Sequence, residues 1–302
     1  MIKSITVTNY INESLKIDLF DAEPEHGLII RSIDGLGPAV ATINTTELAT
    51  NDGSLFNSAR VENRNLVISF LFTNSPQIED ARQRTYRYFP IKRTVKISIE
   101  TDNRTVYAIG QVESNEPDVF SEKEGCSISI ICPDPYMYSE ETHTTIFNGI
   151  EPVFEFVYEN PSVSEFLTEF GSIENSNERV IYYEGESEVG MVMTIHALDE
   201  ASDITIYNLL TREHITIDTN KLKQLVGSGI VMGDDIIIST VRGEKTAQLL
   251  RFGQYTNIMN CITRDSTWFQ LRKGDNVLAY IAKTGSEALQ FKIENKVLYE
   301  GV

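Results

Sequence analysis

The sequence has no hydrophobic run long enough to cross a membrane. Its 302 residues contain no stretch of 18 consecutive apolar residues, so no membrane-spanning helix is predicted. The N-terminus lacks the apolar core and the small-residue cleavage site of a signal peptide. We therefore expect synthesis in the cytosol without Sec export, and no insertion into a membrane.

Cysteine is also scarce, with three residues at Cys126, Cys132 and Cys261. An odd number without a C-x-x-C motif or a Cys/His cluster argues against a disulfide framework and against a zinc site. Cys126 and Cys132 are six residues apart in one predicted strand, so both side chains should face the same side. We expect all three to be buried thiols.

Motifs for catalysis and for cofactor or metal binding are missing as well. None of the four histidines pairs with a second His or Cys at ligand spacing. Gly227–Gly229 lacks the strand-to-helix elbow of a serine hydrolase. Gly35 and Gly37 lack the third glycine and the following helix of a dinucleotide-binding loop. The sequence therefore predicts no catalytic residue, no cofactor and no metal. The four histidines are His26, His143, His196 and His214.

Positive charge is in short supply, because 26 Lys and Arg stand against 44 Asp and Glu, giving a net charge of −18. Tight non-specific DNA binding needs basic residues that neutralise phosphates, so this balance disfavours it. The charge can simply keep the protein soluble, or it can let a surface lie near nucleic acid without adsorbing to it.

The stretch 76–100 contains the most convincing helix. Pro76 suits a first helical turn, and the pair Phe89-Pro90 should end the helix because a residue before proline resists the α conformation. An apolar stripe at 3–4 spacing runs through it. The alternating residues 95–99 after it predict a half-buried strand. The unit is therefore a helix packed against a sheet.

The rest of the chain indicates short strands and turns. Residues 2–20 predict an opening hairpin, and Pro133 and Pro135, which follow the strand 125–132, mark the best domain boundary. Residues 153–158 alternate as a strand, whereas 160–177 could be a long loop or a short helix. From residue 180, strands at roughly ten-residue intervals predict a β-sandwich. We therefore expect a mostly β protein with domains 1–135 and 136–302.

Two features are candidates for contact with partners. A basic cluster stands out in an acidic chain, and it is either a solvated helix face with internal acidic partners or a contact with an acidic neighbour. The single tryptophan, Trp268, is either a core residue or a platform for a sugar. The members of the basic cluster are Arg82, Arg84, Arg87, Lys92 and Arg93.

Several short motifs, in order, resemble the distal tail protein of long-tailed siphophages and of phage-tail-like particles. In the first half these are DGLGP at 34–38, Arg60 and Arg64, the helix ending Tyr88–Pro90 and CPDPYMY at 132–138. In the second half they include Tyr207-Asn208, the segment from Trp268 to Asn276 and the ending YEGV at 299–302. The resemblance spans almost the whole chain and departs at 147–178 and 222–233.

The resemblance implies a structural baseplate hub. Family members form hexameric rings at the virion tail tip, between the tail tube protein and the tail-tip, tail-associated lysin or receptor-binding proteins. Their N-terminal domain is a β-barrel-like, tail-tube-related fold with one helix, and their C-terminal domain is an outward-facing galectin-like or carbohydrate-module-like β-sandwich. Residues 1–135 would then close the ring in the host cytoplasm, and acidic side chains would line a bore through which DNA passes without specific binding.

Two other functions remain open at this stage. A carbohydrate-binding adhesin would use the sandwich, and Trp268 within it, to contact glycans of the host cell wall. A wall hydrolase would need a pair of carboxylates that cannot be selected from the sequence. The source and the receptor are not indicated by the sequence.

Overall fold

A computed structural model describes residues 1–21, 24–47, 52–73, 77–121, 123–151, 172–175 and 177–302. The predicted strand 153–158, most of the undecided stretch 160–177 and the placement of Pro76 lie outside these residues. The chain divides into two compact units. Unit 1 comprises residues 1–141 together with 298–302, and unit 2 comprises residues 142–297.

The described residues form mainly short β-strands. The strands are β1 Ile2–Thr8, β2 Ser14–Asp18, β3 Leu28–Asp34, β4 Ala41–Glu47, β5 Ser54–Val61, β6 Arg64–Phe72, β7 Thr94–Thr101, β8 Thr105–Asp118, β9 Gly125–Cys132, β10 Met137–Ser139, β11 His143–Ile146, β12 Asn148–Glu151, β13 Ser172–Asn175, β14 Glu178–Tyr183, β15 Met191–Ala197, β16 Ser202–Asn208, β17 Glu213–Thr216, β18 Asp235–Ser239, β19 Thr246–Arg251, β20 Gln254–Asn257, β21 Gly274–Thr284, β22 Leu289–Asn295 and β23 Leu298–Tyr299. The α-helices are α1 Ile78–Tyr88 and α2 Thr219–Val226, and short 3-10 helices occupy Met259–Cys261 and Ser286–Ala288.

Unit 1 is built on one antiparallel sheet with the strand order β2-β1-β7-β8-β9-β6-β3. The sheet curls so that its two end strands, β2 and β3, approach each other, which gives the predicted barrel-like form. Strand β10 pairs with β8 and also with β23, so the last residues of the chain return to this unit. Strands β4 and β5 form a separate hairpin.

The helix α1 packs against β6 and β8, as the helix-on-sheet prediction required. It buries Ala81 and Thr85, and the following Phe89 is only 1% exposed. The ring of Phe89 also packs against the ring of Phe70 in β6, with 5.8 Å between the two centroids. Removal of these groups from water is the main contribution that holds the helix in place. The apolar spacing read from the sequence therefore marks a real contact face.

Unit 2 is a β-sandwich, as the strand spacing predicted. One sheet has the order β11-β22-β15-β18-β19-β20, and the other has the order β14-β21-β16-β17. Aromatic rings pack between strands of both sheets, since Tyr280 of β21 lies 5.3 Å from Phe291 of β22 between centroids. Phe147 lies 4.6 Å from Phe291 in the same cluster. The mostly β fold class is thus confirmed for both units.

A second α-helix, α2, was not predicted as an element. Asp218 caps it by accepting hydrogen bonds from the backbone N–H of Asn220 at 2.9 Å and of Lys221 at 3.2 Å. Gly227 ends it in the left-handed conformation with φ of 83°. An aspartate at the start and a glycine after the last turn are the usual signals of a helix. The helix has only eight residues, so its apolar spacing is too short to stand out from the strand alternation on either side of it.

Candidate functional site

Arg64, at the start of β6, joins three other segments of unit 1 that are distant in sequence. Its guanidinium donates hydrogen bonds to the carbonyl oxygens of Pro135 at 2.7 Å and Gly37 at 2.6 Å. It also donates to the carbonyls of Gly35 and Glu300. The four carbonyls belong to the DGLGP turn, the proline-rich boundary and the chain ending. Three of the motifs that carried the family resemblance, DGLGP, CPDPYMY and YEGV, therefore meet at one buried side chain.

The Arg64 charge is satisfied by backbone dipoles, because all four acceptors are carbonyl oxygens. The side chain is 2% exposed, and burial lowers the pKa of its guanidinium from the ordinary arginine value. Nearby, the backbone N–H of Val302 donates to the carbonyl of Leu36 at 3.0 Å. Arg104 lies over the ring of Tyr299 at 4.1 Å. The hydrogen bonds of Arg64, together with these neighbouring contacts, hold the segments of unit 1 together.

The β4–β5 hairpin is exposed along its whole length. Every residue of both strands is classed as solvent-exposed, although the hairpin contains large apolar side chains. Ile43 and Phe56 are each 62% exposed, and Leu55 is 57% exposed. A two-stranded hairpin with nothing packed on it is only marginally stable in water. We call this hairpin the ribbon.

The ribbon has one apolar face and one polar face. Opposed residues of an antiparallel pair share a face, so the pairs Ile43↔Ala59 and Thr45↔Phe56 place their side chains together. The pairs Asn44↔Ser58 and Thr46↔Leu55 lie on the other face. Two side-chain hydrogen bonds run across that polar face, from Asn44 to Ser58 at 3.1 Å and from Asn57 to Thr46 at 2.6 Å.

This surface was not predicted from the sequence, although the sequence contains a signal for it. The apolar-face residues Ala41, Ile43 and Thr45 alternate with Thr42, Asn44 and Thr46. Alternation of that kind predicts a strand with one buried face. It does not reveal that, among the described residues of unit 1, this face stays exposed, which is a property of the tertiary structure.

The five residues of the predicted basic cluster differ in their partners. Arg82 pairs with Glu79 one turn earlier on the helix. Arg84 donates to the carbonyl of Glu25 at 3.2 Å. Arg87 binds both carboxylate oxygens of Glu13, with its Nε at 2.8 Å from Oε2, and this hydrogen bond lowers the pKa of the Glu13 carboxyl. Three of the five therefore have partners inside unit 1.

Arg87 and Arg93 contact the turn between β1 and β2, and Lys92 precedes Arg93 in the exposed turn before β7. The amide of Asn9 donates to the carbonyl of Arg87 at 3.3 Å. The Arg93 guanidinium lies 5.1 Å from the centroid of the Tyr10 ring. Exposed apolar side chains lie in the same segments: Tyr10 at 52%, Ile11 at 54% and Ile91 at 47%. We call these six residues the turn–helix patch.

Trp268 lies in a cleft of unit 2 with a volume of about 300 Å³. Its side chain is half-buried, and the neighbouring Phe269 is buried in the core. The other lining groups are polar or charged and include Glu213, Arg242, Lys245 and Arg272. Trp268 is therefore not simply a core residue, because it is half-buried and also lines a polar cleft.

All three cysteines are free and buried, as predicted. Burial raises the pKa of the Cys126 thiol to about 12 and that of Cys132 to about 11, so neither is a thiolate at neutral pH. In the part of the chain that the structure describes, no three His, Cys, Asp or Glu side chains are arranged to hold a metal ion. No helix among those residues is long and apolar enough to cross a membrane.

Comparison with known proteins gives a likeness of fold. No family model and no curated protein matches the chain. The Dit protein of phage SPP1, a paradigm of the hub adsorption apparatus in phages that infect Gram-positive bacteria, is similar over 97% of this chain and 98% of its own. The identity is 13% and the TM-score 0.64. A chain of the phage P2 baseplate in its activated conformation covers the same shares at 14% identity, with a TM-score of 0.48.

Proposed function

We propose that the chain is a structural distal tail protein, the baseplate hub of a phage or a phage-tail-like particle. Its fold is that of the SPP1 Dit protein, and the observation that carries the proposal is that this likeness spans 97% of the chain, so that both units are included. In this role the protein joins the tail tube to tip and receptor-binding proteins at the virion tail tip. It needs no catalytic group, cofactor or metal for that task.

Two unlike surfaces on unit 1 support the proposal that copies of the chain form a ring. A ring requires heterologous contacts, in which each copy presents one surface to the preceding copy and a different surface to the next. The apolar face of the ribbon is one such surface, because covering apolar side chains that are 62% exposed lowers the free energy of the assembly. The turn–helix patch is the second. A homohexamer, by analogy with the distal tail family, satisfies both.

The composition of the patch suits a second copy of this chain. Tyrosine and arginine are enriched where proteins bind each other, and the patch combines Tyr10 with Arg87 and Arg93. The chain as a whole is acidic, with a net charge of −18, so a neighbouring copy offers carboxylates to cations of the patch such as Lys92 and Arg93. Opposite charges then guide the association and fix its orientation.

The ribbon can be tested by removing its apolar side chains without breaking the strands. We expect Ile43→Thr with Phe56→Thr to convert rings of the purified full-length protein into monomers, because threonine keeps the strand preference but removes apolar contact area. Mass photometry gives the mass of the assemblies, and negative-stain images give their shape. Far-UV circular dichroism should be unchanged.

A matched control is available one residue away. Leu55 is as exposed as Phe56 but lies on the polar face of the ribbon, so Leu55→Thr should leave the rings intact. Rings that survive in the double variant, or that are lost equally in Leu55→Thr, would rule out the apolar face as the contact. Wild-type protein that stays monomeric at all concentrations and fails to assemble with a tail tube would contradict the hub proposal.

A further inference from the structure

Three exposed apolar side chains lie on neighbouring loops at one end of the six-stranded sheet of unit 2. Leu198 follows β15, Met232 precedes β18 and Phe252 follows β19, and these three strands are adjacent in the sheet. Asp235, which begins β18, is paired with residues near the ends of β15 and β19, so the three loops meet at the same end. The side chains are 48%, 73% and 94% exposed, respectively. We call these three residues the loop tips.

Phe252 occupies its turn against the conformational preference of a bulky residue. Arg251 and Gln254 are paired, so Phe252 and Gly253 form a two-residue hairpin loop. Both have positive φ, 50° for Phe252 and 77° for Gly253, as in a type I′ turn. That turn favours Asn-Gly, and a large side chain in the left-handed region is strained. A strained aromatic residue that is also exposed to solvent indicates a role in contact with another molecule.

An ion pair with a buried carboxylate holds the loops that carry the tips. Arg251 binds both carboxylate oxygens of Asp234, with its Nε at 2.7 Å from Oδ1 and its Nη2 at 2.6 Å from Oδ2, and it also donates to the hydroxyl of Ser228. The N–H of Gly233 donates to the carbonyl of Ala197 at 2.8 Å, which ties the loop before β18 to the end of β15. Loops fixed in this way lose little entropy when a partner binds.

The charge beside the loop tips is negative. Asp199 and Glu200 directly follow Leu198, and Glu287 lies in the 3-10 helix to which the N–H of Leu198 donates a 2.8 Å hydrogen bond. All three carboxylate side chains are exposed. Lys223 of α2 also lies beside these loops, but it balances only one of the three charges. An acidic rim favours a partner that carries Lys or Arg and disfavours an anionic lipid surface.

We propose that the loop tips bind a basic, amphipathic segment of another protein, in which apolar side chains are flanked by Lys or Arg. The tips provide the apolar anchors of the interface, and the carboxylates select the partner by its charge. The loop tips belong to unit 2, whereas the ribbon and the turn–helix patch belong to unit 1. The proposal therefore goes beyond ring formation, and a monomeric protein should bind the same segment.

A random dodecapeptide library, screened against the immobilised full-length protein, tests the chemistry of the partner. We expect the enriched sequences to combine aromatic or aliphatic residues with Lys or Arg. Synthetic copies, measured by fluorescence anisotropy, should bind about tenfold more weakly when glutamate replaces their basic residues. Added salt should weaken the binding of the basic peptides. A screen that enriches no sequence, or only sequences without basic residues, would overturn the proposal.

Variants of the tips separate this surface from acidic surface in general. Phe252→Asn with Met232→Gln removes the two most exposed tips, and asparagine suits the first position of a type I′ turn. We expect this tip variant to melt no lower than wild type, while its affinity for the peptides falls at least tenfold. Asp199→Asn with Glu200→Gln should reduce the salt dependence of binding, because it removes two charges of the rim.

Tyr182→Thr is the control, because Tyr182 is a 71% exposed aromatic residue of the same unit. It opposes Asp275 near the start of β21, and the 3-10 helix beside Leu198 follows the end of that strand, about 30 Å away by strand rise. This variant should bind as wild type. Equal affinity in wild type and the tip variant, or an equal loss in Tyr182→Thr, would overturn the proposal. Vesicles of phosphatidylcholine and phosphatidylglycerol that sediment with wild type but not with the tip variant would assign the tips to a lipid surface instead.

Discussion

At the scale of single residues, Arg64 shows how one side chain can organise a unit. It donates to carbonyls from the turn 34–38, from Pro135 and from Glu300 near the chain ending. Each of these carbonyls would lose a partner if the guanidinium were absent. A buried polar group without a hydrogen bond costs about 1–3 kcal/mol, and several acceptors depend on this one residue.

We expect Arg64→Met to lower the free energy of unfolding of unit 1 by roughly 3 kcal/mol or more, because several acceptors lose their donor together. Trp268 lies in unit 2, so its fluorescence follows that unit, whereas far-UV circular dichroism follows both. In urea, the dichroism transition should shift to lower concentration while the fluorescence transition stays in place.

The control for this variant is Arg60→Met. Arg60 is an exposed residue of the ribbon, and the same change of side chain there should leave both transitions unchanged. An Arg64→Met protein as stable as wild type would show that the carbonyls find other donors.

His26 predicts a pH dependence of the stability of unit 1. Burial, and next the nearby Arg84, lower the pKa of His26, and its Nδ1 accepts a hydrogen bond from the N–H of Leu28 at 3.2 Å. Because the folded pKa lies below the unfolded value of about 6.5, the unfolded chain binds the proton more readily. The stabilisation by neutral His26 is complete above that value and is lost as pH falls through the folded pKa.

We therefore expect His26→Gln to flatten the fall in unfolding free energy between neutral and mildly acidic pH. Urea denaturation, followed by dichroism at several pH values, measures this slope. His143→Gln, at an exposed position in unit 2, serves as the comparison. A slope in His26→Gln equal to that of wild type would assign the pH dependence to other groups.

At the scale of elements, the ribbon and the helix α1 differ in whether their apolar sides are covered within unit 1. The helix packs its apolar stripe on β6 and β8 within unit 1. The ribbon leaves its apolar face exposed. The basic residues also differ in whether their contacts lie within the unit. Arg82 and Arg84 are engaged within the unit, whereas Lys92 and Arg93 lie at an exposed turn beside Tyr10.

We expect Lys92→Glu with Arg93→Glu to weaken ring assembly at least tenfold in subunit concentration, because both cations of the exposed turn are reversed in sign. Mass photometry over a dilution series measures the midpoint. Arg82→Glu reverses a charge within α1, at a residue that pairs with Glu79 on the same helix, and should assemble as wild type. Equal midpoints in all three proteins would remove the patch from the interface.

At the scale of the whole molecule, charge sets the behaviour toward nucleic acid. Each chain carries a net charge of −18, and a ring multiplies this value by its number of subunits. DNA is itself a dense polyanion, and binding to it requires cations that release its counterions. In the proposed ring, such chains would surround DNA without adsorbing it, as passage through the proposed tail hub requires.

We expect the assembled protein to retain no double-stranded DNA in an electrophoretic mobility assay, even at low salt, where attraction would be strongest. A basic protein of known DNA affinity provides the positive control. A retarded DNA band that disappears as salt is raised would reveal a basic surface in the ring that the net charge conceals.

Much of the fold could be predicted because periodicity is a local property. The alternation of Val95, Ile97 and Ile99 predicts a strand, and the spacing from Ala81 to Thr85 predicts the buried side of a helix. The regular turns after residue 180 predict a sandwich. The helix α2 was not predicted because eight residues are too few to show a helical period among the strands around them.

By itself, the sequence determined the strand periods, the burial of the thiols, the acidic balance and the motifs of the distal tail resemblance. Only the tertiary structure decided that the turn 34–38, Pro135 and the chain ending meet at Arg64, that the chain ending returns to unit 1, and that the ribbon has an exposed apolar face. The reason is physical. Periodicity depends on neighbours along the chain, whereas a carbonyl's donor or an apolar face's cover comes from residues far away in sequence, and their positions are fixed only when the sheets close.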